Sequence, residues 1–418
     1  MASRLGVIGV TLTLAFAVIG PAHAGTAPTP RPDAYRDQPP LAYVSNGRVF
    51  MLDGNGDPPI RVRGVSNACC VAFSPDGYYV AFQQGDDLWV AEHDGTELHR
   101  VARAVQRWAW APDGQALAVI PKAARDRSAG MGIDIYGADD STVRDTQLPG
   151  HRVLDLAWAG YGRRLAVWAV PAGEADAPAH SQMFMLEVPG PYGEDCPALC
   201  PEDPVPVPVD HPDGDSGPLF AGWSPNVDAI AVWTGADNGA TLGVVSPRGG
   251  DISPITTTLV RRSWVQWSRT GDRLLVVEGH APETDAPRTL LLCAAAAGCS
   301  SVTGGDALVA DPAWSRGGAM AYVSTERREL WTANPEGAET RQLARAGDGV
   351  HAPRWLPDTR HLVFVRDGFV WLLDTAGGDA VAIAGPLGHG RRTAGESLQA
   401  PTDSSHGPRW EQLYSVAP

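Results

Sequence analysis

The chain has 418 residues and only one lysine, Lys122, among its 33 basic side chains. Its 48 acidic residues leave a formal net charge of −15. No basic stripe runs along the sequence, which excludes a protein built to grip a nucleic-acid backbone. The preference for arginine reflects GC-rich codons and carries no functional meaning. Beyond residue 20 no apolar run reaches the roughly 20 residues that a membrane-spanning helix needs. No G-x-S-x-G is present, so an α/β-hydrolase nucleophile elbow is excluded. Walker and dinucleotide-binding glycine fingerprints are absent too. Disorder is also excluded, because 44% of the residues are apolar.

Three partial motifs fail on their own residues. Gly214-Asp215-Ser216-Gly217-Pro218 echoes a serine-protease nucleophile loop but lacks the second glycine and any T-A-A-H-C partner, so it reads as a turn. Asp53 to Asp57 (DGNGD) starts like a calcium loop, yet Pro58 stands where the loop needs glycine and Gly64 where it needs glutamate. It reads as a hairpin turn. Cys196 and Cys200 have no second cysteine pair at zinc-finger spacing. The expectation is therefore no catalytic set, no metal and no cofactor.

The amino terminus is what an export signal looks like. Met1 to Arg4 is a short basic region, Leu5 to Gly20 is apolar, and Pro21-Ala22-His23-Ala24 offers small residues at the −3 and −1 positions of a cleavage site. No cysteine follows the cut, so a lipid anchor is not expected. Residues 1–24 are read as a signal peptide and residues 25–40, TAPTPRPDAYRDQPP after Gly25, as an extended, solvated, proline-rich linker. Residues 41–418 are read as one domain, with no membrane span after cleavage, in a bacterial protein that is secreted or held at the cell envelope.

Glycine (47) and proline (36) make up about a fifth of the chain, well above average usage of about 12%. They punctuate a repeat. VAFSPDGYYVAF at 71, WAWAPDGQALAVI at 108, LAWAGYGRRLAVW at 156 and AGWSPNVDAIAVW at 221 share an aromatic, a tight turn and a short apolar strand. VQWSRTGDRLLVV at 265, PAWSRGGAMAYV at 312 and PRWLPDTRHLVFV at 353 continue the series. The aromatic anchors are Phe73, Trp110, Trp158, Trp223, Trp267, Trp314 and Trp355, spaced 37, 48, 65, 44, 47 and 41 residues apart. A third strand follows each second one, as in LWVAE at 88 or VWLLD at 370, and a weaker fourth comes after it. Four short strands per 40–50 residues is the pattern of a β-propeller blade.

The ends set the blade number. LAYVSNGRVFMLDGNGDPPIRV (41–62) matches strands two to four with no first strand, and HGPRWEQLYSVAP (406–418) matches a first strand by its likeness to HAPRWLPD (351–358). Pairing the two would close a ring of seven internal blades and one composite blade. The expectation is an all-β, eight-bladed propeller, with a seven-bladed ring as the alternative. The tryptophan anchors are expected to pack between blades.

The S-P-D-G turn after an aromatic, the following AF or AV strand and the LWV strand resemble the TolB-type, WD40-like propeller repeat, over about residues 39–418. The Gly-His and Trp-Asp pairs of the WD repeat itself are missing. TolB looks like a propeller with an additional amino-terminal α/β domain, for which this chain has no room before residue 41. The resemblance implies a propeller fold and a scaffold or binding role, since this repeat also serves receptors and the propeller halves of enzymes.

Blade topology puts the second-to-third connections and the blade-to-blade links on one face, here the top. The long ones are 121–131, 171–182, 279–287 and the link 385–406. Long loops on one face of a rigid scaffold are where binding is expected, with an unknown protein, peptide or glycan as partner and the protein itself a monomer. Six cysteines suit an oxidising compartment. Proximity favours Cys196–Cys200 and Cys293–Cys299, which leaves Cys69–Cys70 as a vicinal disulfide or a thiol pair. One polar constellation stands out at the channel mouth. His351 and His406 share a repeat position, His389, Arg391 and Arg392 lie on the link between them, and Asp311 is at the same level one blade back. These are the ligand-binding candidates. Some propeller lyases that cut acidic sugars look similar, with channel-mouth histidines and nearby arginines, so a polysaccharide lyase or hydrolase is the alternative to a non-enzymatic binding protein.

Overall fold

Each aromatic–turn–strand unit becomes a four-stranded antiparallel sheet. The computed structural model describes residues 27–122, 132–139, 144–161, 163–172, 181–188, 205–210, 219–226, 228–235, 240–257, 265–278, 289–294, 298–302, 309–324, 328–388 and 414–417. Within them eight such sheets form a propeller. The first strands of blades 1 to 7 are Ala68–Phe73, Val105–Trp110, His151–Trp158, Leu219–Trp223, Val265–Trp267, Val309–Trp314 and His351–Trp355. Successive first strands touch one another around the channel, as those of blades 3 and 4 and of blades 6 and 7 do. The ring therefore has eight blades and not seven.

Second strands read as unbroken apolar runs because each is covered on both faces by a neighbouring sheet. All five residues of Ile230–Thr234 are buried, as are the first five of Ala116–Pro121. Fourth strands lie at the rim, and Ile60–Arg61, Gly298–Ser301 and Arg341–Gln342 are exposed throughout.

The closing blade is completed from the far end of the chain, as expected, by the last part of the segment 406–418. The strand that pairs with Leu41–Ser45 is Tyr414–Val416, in the register Leu41↔Val416, Ala42↔Ser415 and Tyr43↔Tyr414. The repeat-matched residues 406–410 lie outside the described residues. Tyr414 is fully buried, and its hydroxyl donates to the Ala352 carbonyl in blade 7. Burial of a whole aromatic side chain with a satisfied hydroxyl is what makes this short segment a dependable partner.

The proline-rich segment departs from expectation. From residue 27 to 40 it is tethered at points rather than free, with six of its residues exposed and Tyr35 buried. Pro32–Tyr35 forms a short 3-10 helix, the Arg31 amide donates to the Ala382 carbonyl at the rim of blade 7 (2.8 Å), and the Asp37 amide donates to the Gly54 carbonyl (2.7 Å). Tyr35 is fully buried in the core shared by blade 7, the closing blade and blade 1. One aromatic side chain outweighs a composition that otherwise favours solvation. The segment is a second clasp across the seam where the ring closes.

Bottom turns lock neighbouring blades together. In Ser74-Pro75-Asp76-Gly77, the buried Ser74 hydroxyl accepts the Tyr79 amide (2.9 Å) and Asp76 accepts the Tyr78 amide (3.1 Å). The next blade's equivalent glycine, Gly114, has φ +73 and lies so close that a Cβ there would sit 2.4 Å from the Asp76 carboxyl. Gln115 Nε2 bonds that same carboxyl at 2.8 Å. Gly271 repeats the arrangement against Ser224. One connection on this face is long: residues 189–204, which join the third and fourth strands of blade 3 and lie outside the described residues.

Gly368 supplies a control for the interlock. It has φ +76 in a hairpin turn with nothing within 4 Å of an added Cβ. Gly368→Ala is expected to cost about 1–2 kcal/mol through backbone conformation alone. Gly114→Ala is expected to cost about 1–3 kcal/mol more through overpacking against the tethered Asp76. Urea denaturation of both variants checks this, and equal losses would contradict the interlock.

Candidate functional site at the channel wall

A first strand has no partner on its inner edge, so its outward amides and carbonyls must find other groups. Six of the first strands carry a register shift near their upper half, between Cys69 and Ala72, Val105 and Arg107, Val153 and Asp155, Phe220 and Gly222, Ala310 and Ala313, and His351 and Arg354. Bulges of this kind re-aim a side chain. The residues three positions before the anchors, Cys70, Arg107, Asp155, Phe220, Asp311 and Ala352, thereby form a belt around the channel.

Members of the belt bond across blades. Asp155 of blade 3 accepts the Phe220 amide of blade 4 (3.0 Å) and pairs with Arg107 of blade 2. Asp311 of blade 6 accepts the Ala352 amide of blade 7 (3.0 Å). At the seam the Ser415 hydroxyl does the same for the Phe73 amide (3.1 Å). The anchors complete the pattern from the other side. Nε1 of Trp110, Trp158, Trp267 and Trp314 donates to Ala72, Ala109, Gly222 and Gln266 respectively, the carbonyl just before the anchor of the preceding blade. The tryptophans are thus inter-blade groups, as expected, with a polar tie as well as a packing role.

Two places on this wall gather charge. The first is a cavity of about 350 Å³ where the first strands of blades 2, 3 and 4 meet, lined by Arg107, Trp108, Asp155, Trp158, Phe220 and Trp223 among others. Asp155 is almost wholly buried there, while the Arg107 side chain is 44% exposed. Nη1 of Arg107 pairs with Asp155, and a partly exposed guanidinium with further donors can present a hydrogen-bonding cation to a carboxylate or a carbonyl.

The second is the blade 6–blade 7 mouth. The structure brings His351 and Asp311 together and adds Arg328, which the sequence did not single out. Arg328 Nη2 donates to Asp311 (2.6 Å) and its Nε to the Val350 carbonyl (2.8 Å). His351 is half-buried. Burial lowers its pKa below 6.5, with Arg328 acting in the same direction and Asp311 against it. Asp311 Oδ2 takes both the Arg328 guanidinium and the Ala352 amide, which makes this carboxylate a poor cation cradle. Among the described residues no three histidine, cysteine or acidic side chains are grouped as metal ligands would be. His389, Arg391, Arg392 and His406 lie outside the described residues, as do Cys196 and Cys200. Cys293 and Cys299 face each other across the third and fourth strands of blade 5 and are joined as a disulfide.

Arg107 and Asp155 went unnoticed in the sequence because no motif marks them. The signal was a column, the position three before each anchor, where two aspartates and an arginine recur among unlike residues.

No protein-family model matches the chain, and no curated protein does. Among solved structures it is similar to a eukaryotic initiation factor, at 12% identity and a TM-score of 0.48 over 82% of this chain and 85% of that one. A TolB from Agrobacterium tumefaciens is similar at 17% identity and 0.35, over 58% and 84%. The β-propeller domain of Cps50 (Swd1) from Myceliophteria thermophila is similar at 13% and 0.42, over 74% and 97%. Such likenesses leave function open, and the propeller rests on its own strand pairing.

The His351 environment predicts a pH dependence. The folded protein protonates this ring less readily than the unfolded chain does. Its stabilising contribution is therefore complete above about pH 6.5 and is lost as pH falls from there through the lowered folded value. Denaturant midpoints measured from about pH 7.5 down to about pH 5 are expected to fall more steeply for the wild type than for His351→Gln. Parallel profiles would contradict the assignment.

Proposed function

We propose that this chain is an exported, non-enzymatic propeller that binds a protein, peptide or glycan at the cell envelope or outside it, over its top face. The observation that supports this is the placement of the connections. Lys122 and Gly132, Ala172 and Ser181, and Glu278 and Thr289 bracket the long second-to-third connections, and Gly388 and Tyr414 bracket the link into the closing strand. All four open on the face where first strands begin. The opposite face is closed by interlocked turns, apart from the 189–204 connection. A scaffold that is rigid beneath and variable above suits recognition. The belt carboxylates contribute to the scaffold: Asp155 and Asp311 each hold an amide of the next blade, which leaves them poorly placed as acid or base. Export is read from residues 1–24 and agrees with the Cys293–Cys299 disulfide.

The test is cross-linking of the purified protein to the envelope fraction and culture medium of its own source, with the linked residues mapped. Links are expected within 123–131, 173–180, 279–288 and 389–413. Links confined to 189–204 or to the rim strands would contradict a top-face binding role. Turnover of an acidic polysaccharide that is lost in His351→Ala would replace it with the lyase reading.

A further inference from the structure

Adjacent cysteines in a regular strand cannot meet, because successive side chains point to opposite faces. Cys69 and Cys70 lie on the first strand of blade 1, yet their Sγ atoms are 2.6 Å apart. The register shift between Cys69 and Ala72 is the cause. It places Cys70 in the left-handed region, at φ +62, and turns its side chain back beside that of Cys69. The bulge does not depend on the cysteines: Asp311 and Ala352 hold the same position in blades 6 and 7 with φ +48 and +46. Three of the six bulged first strands take this geometry, and blade 1 fills it with two thiols. Both residues are half-buried on the channel-lining strand, with part of each surface open to small molecules.

We propose that Cys69 and Cys70 form a redox-exchangeable vicinal pair, closing to a disulfide against a small disulfide oxidant and reopening with a small thiol. In closure one cysteine thiolate attacks the oxidant, for example oxidised glutathione, and expels one glutathione thiolate. The second cysteine then attacks the mixed disulfide and expels the other. One Sγ–Sγ bond forms and one breaks. Two electrons and the two thiol protons pass to two molecules of reduced glutathione. The pair is expected to open under milder conditions than Cys293–Cys299. Closing a ring between neighbouring residues confines a peptide already held at a costly φ, whereas Cys293 and Cys299 sit in ordinary cross-strand register.

The proposal does not depend on the function suggested above and is tested on the wild-type protein. The folded protein is equilibrated in buffers of varied reduced-to-oxidised glutathione ratio, quenched with acid, denatured, alkylated without reductant and mapped by peptide mass. In oxidised buffer the peptide carrying both cysteines is expected unalkylated and lighter by two hydrogens than its reduced form. As reduced glutathione is raised it is expected to take two alkyl groups, while Cys293–Cys299 stays closed. Reversing the ratio is expected to restore the closed form. Two alkyl groups on this peptide in fully oxidised buffer would overturn the proposal. So would a covalent link from either cysteine to a peptide carrying another cysteine, or a pair that stays closed throughout.

Discussion

Eight strands line the channel, each with an inner edge that no strand of its own sheet can satisfy. A buried amide or carbonyl left in that state costs about 1–3 kcal/mol, and the cost would recur in every blade. The ring meets it with two devices at fixed positions. A bulge three residues before the anchor turns a side chain toward the next blade, where Asp155 and Asp311 accept backbone amides; at the seam Ser415, on a closing strand paired without a bulge, accepts the Phe73 amide. The anchor tryptophan reaches the other way, to a carbonyl of the preceding blade. Packing alone would leave the blades free to slide on apolar faces. The polar ties fix their register around the ring.

This division of labour bears on how the polar residues of the channel are interpreted. Aspartates, an arginine and a histidine around a propeller mouth invite a catalytic reading, but the two aspartates are committed to holding amides of neighbouring blades and Asp311 carries Arg328 as well. What remains outward-facing is Arg107 and the aromatic wall beside it. In the proposed binding role recognition would fall to the top connections, whose ends the ring holds in place, and the cysteine pair of blade 1 adds a chemically distinct point on the same channel.

Much of the fold was legible in the sequence because its signals are local and repeated. An aromatic and a strand covered on both faces recur from blade to blade, most often with a glycine at positive φ in the turn between them, and they gave eight blades with the strands in order. The belt was not legible in this way. A bulge depends on how two strands pair, and the column it exposes holds Cys70, Arg107, Asp155, Phe220, Asp311 and Ala352, which share no chemistry. The likeness of HGPRW to HAPRW marks the closing segment 406–418 but not the residues within it that pair, which are Tyr414–Val416 with its buried tyrosine. The leading segment was read as solvated because proline dominates its composition, and the single side chain that docks it, Tyr35, carries no periodic signal. Of the channel-mouth candidates, His351 and Asp311 are neighbours, and the others fall outside the described residues.

The claim that the blades are joined through their inner edges is tested most directly by native-state hydrogen exchange at the Phe220 amide. This amide sits on an unpaired strand edge, and its acceptor is Asp155 of the next sheet. The account predicts protection comparable to amides of the buried second strand Ile230–Thr234, lost selectively in Asp155→Ala while those second-strand amides stay protected. Fast exchange of Phe220 in the wild type, or protection unchanged in Asp155→Ala, would contradict it.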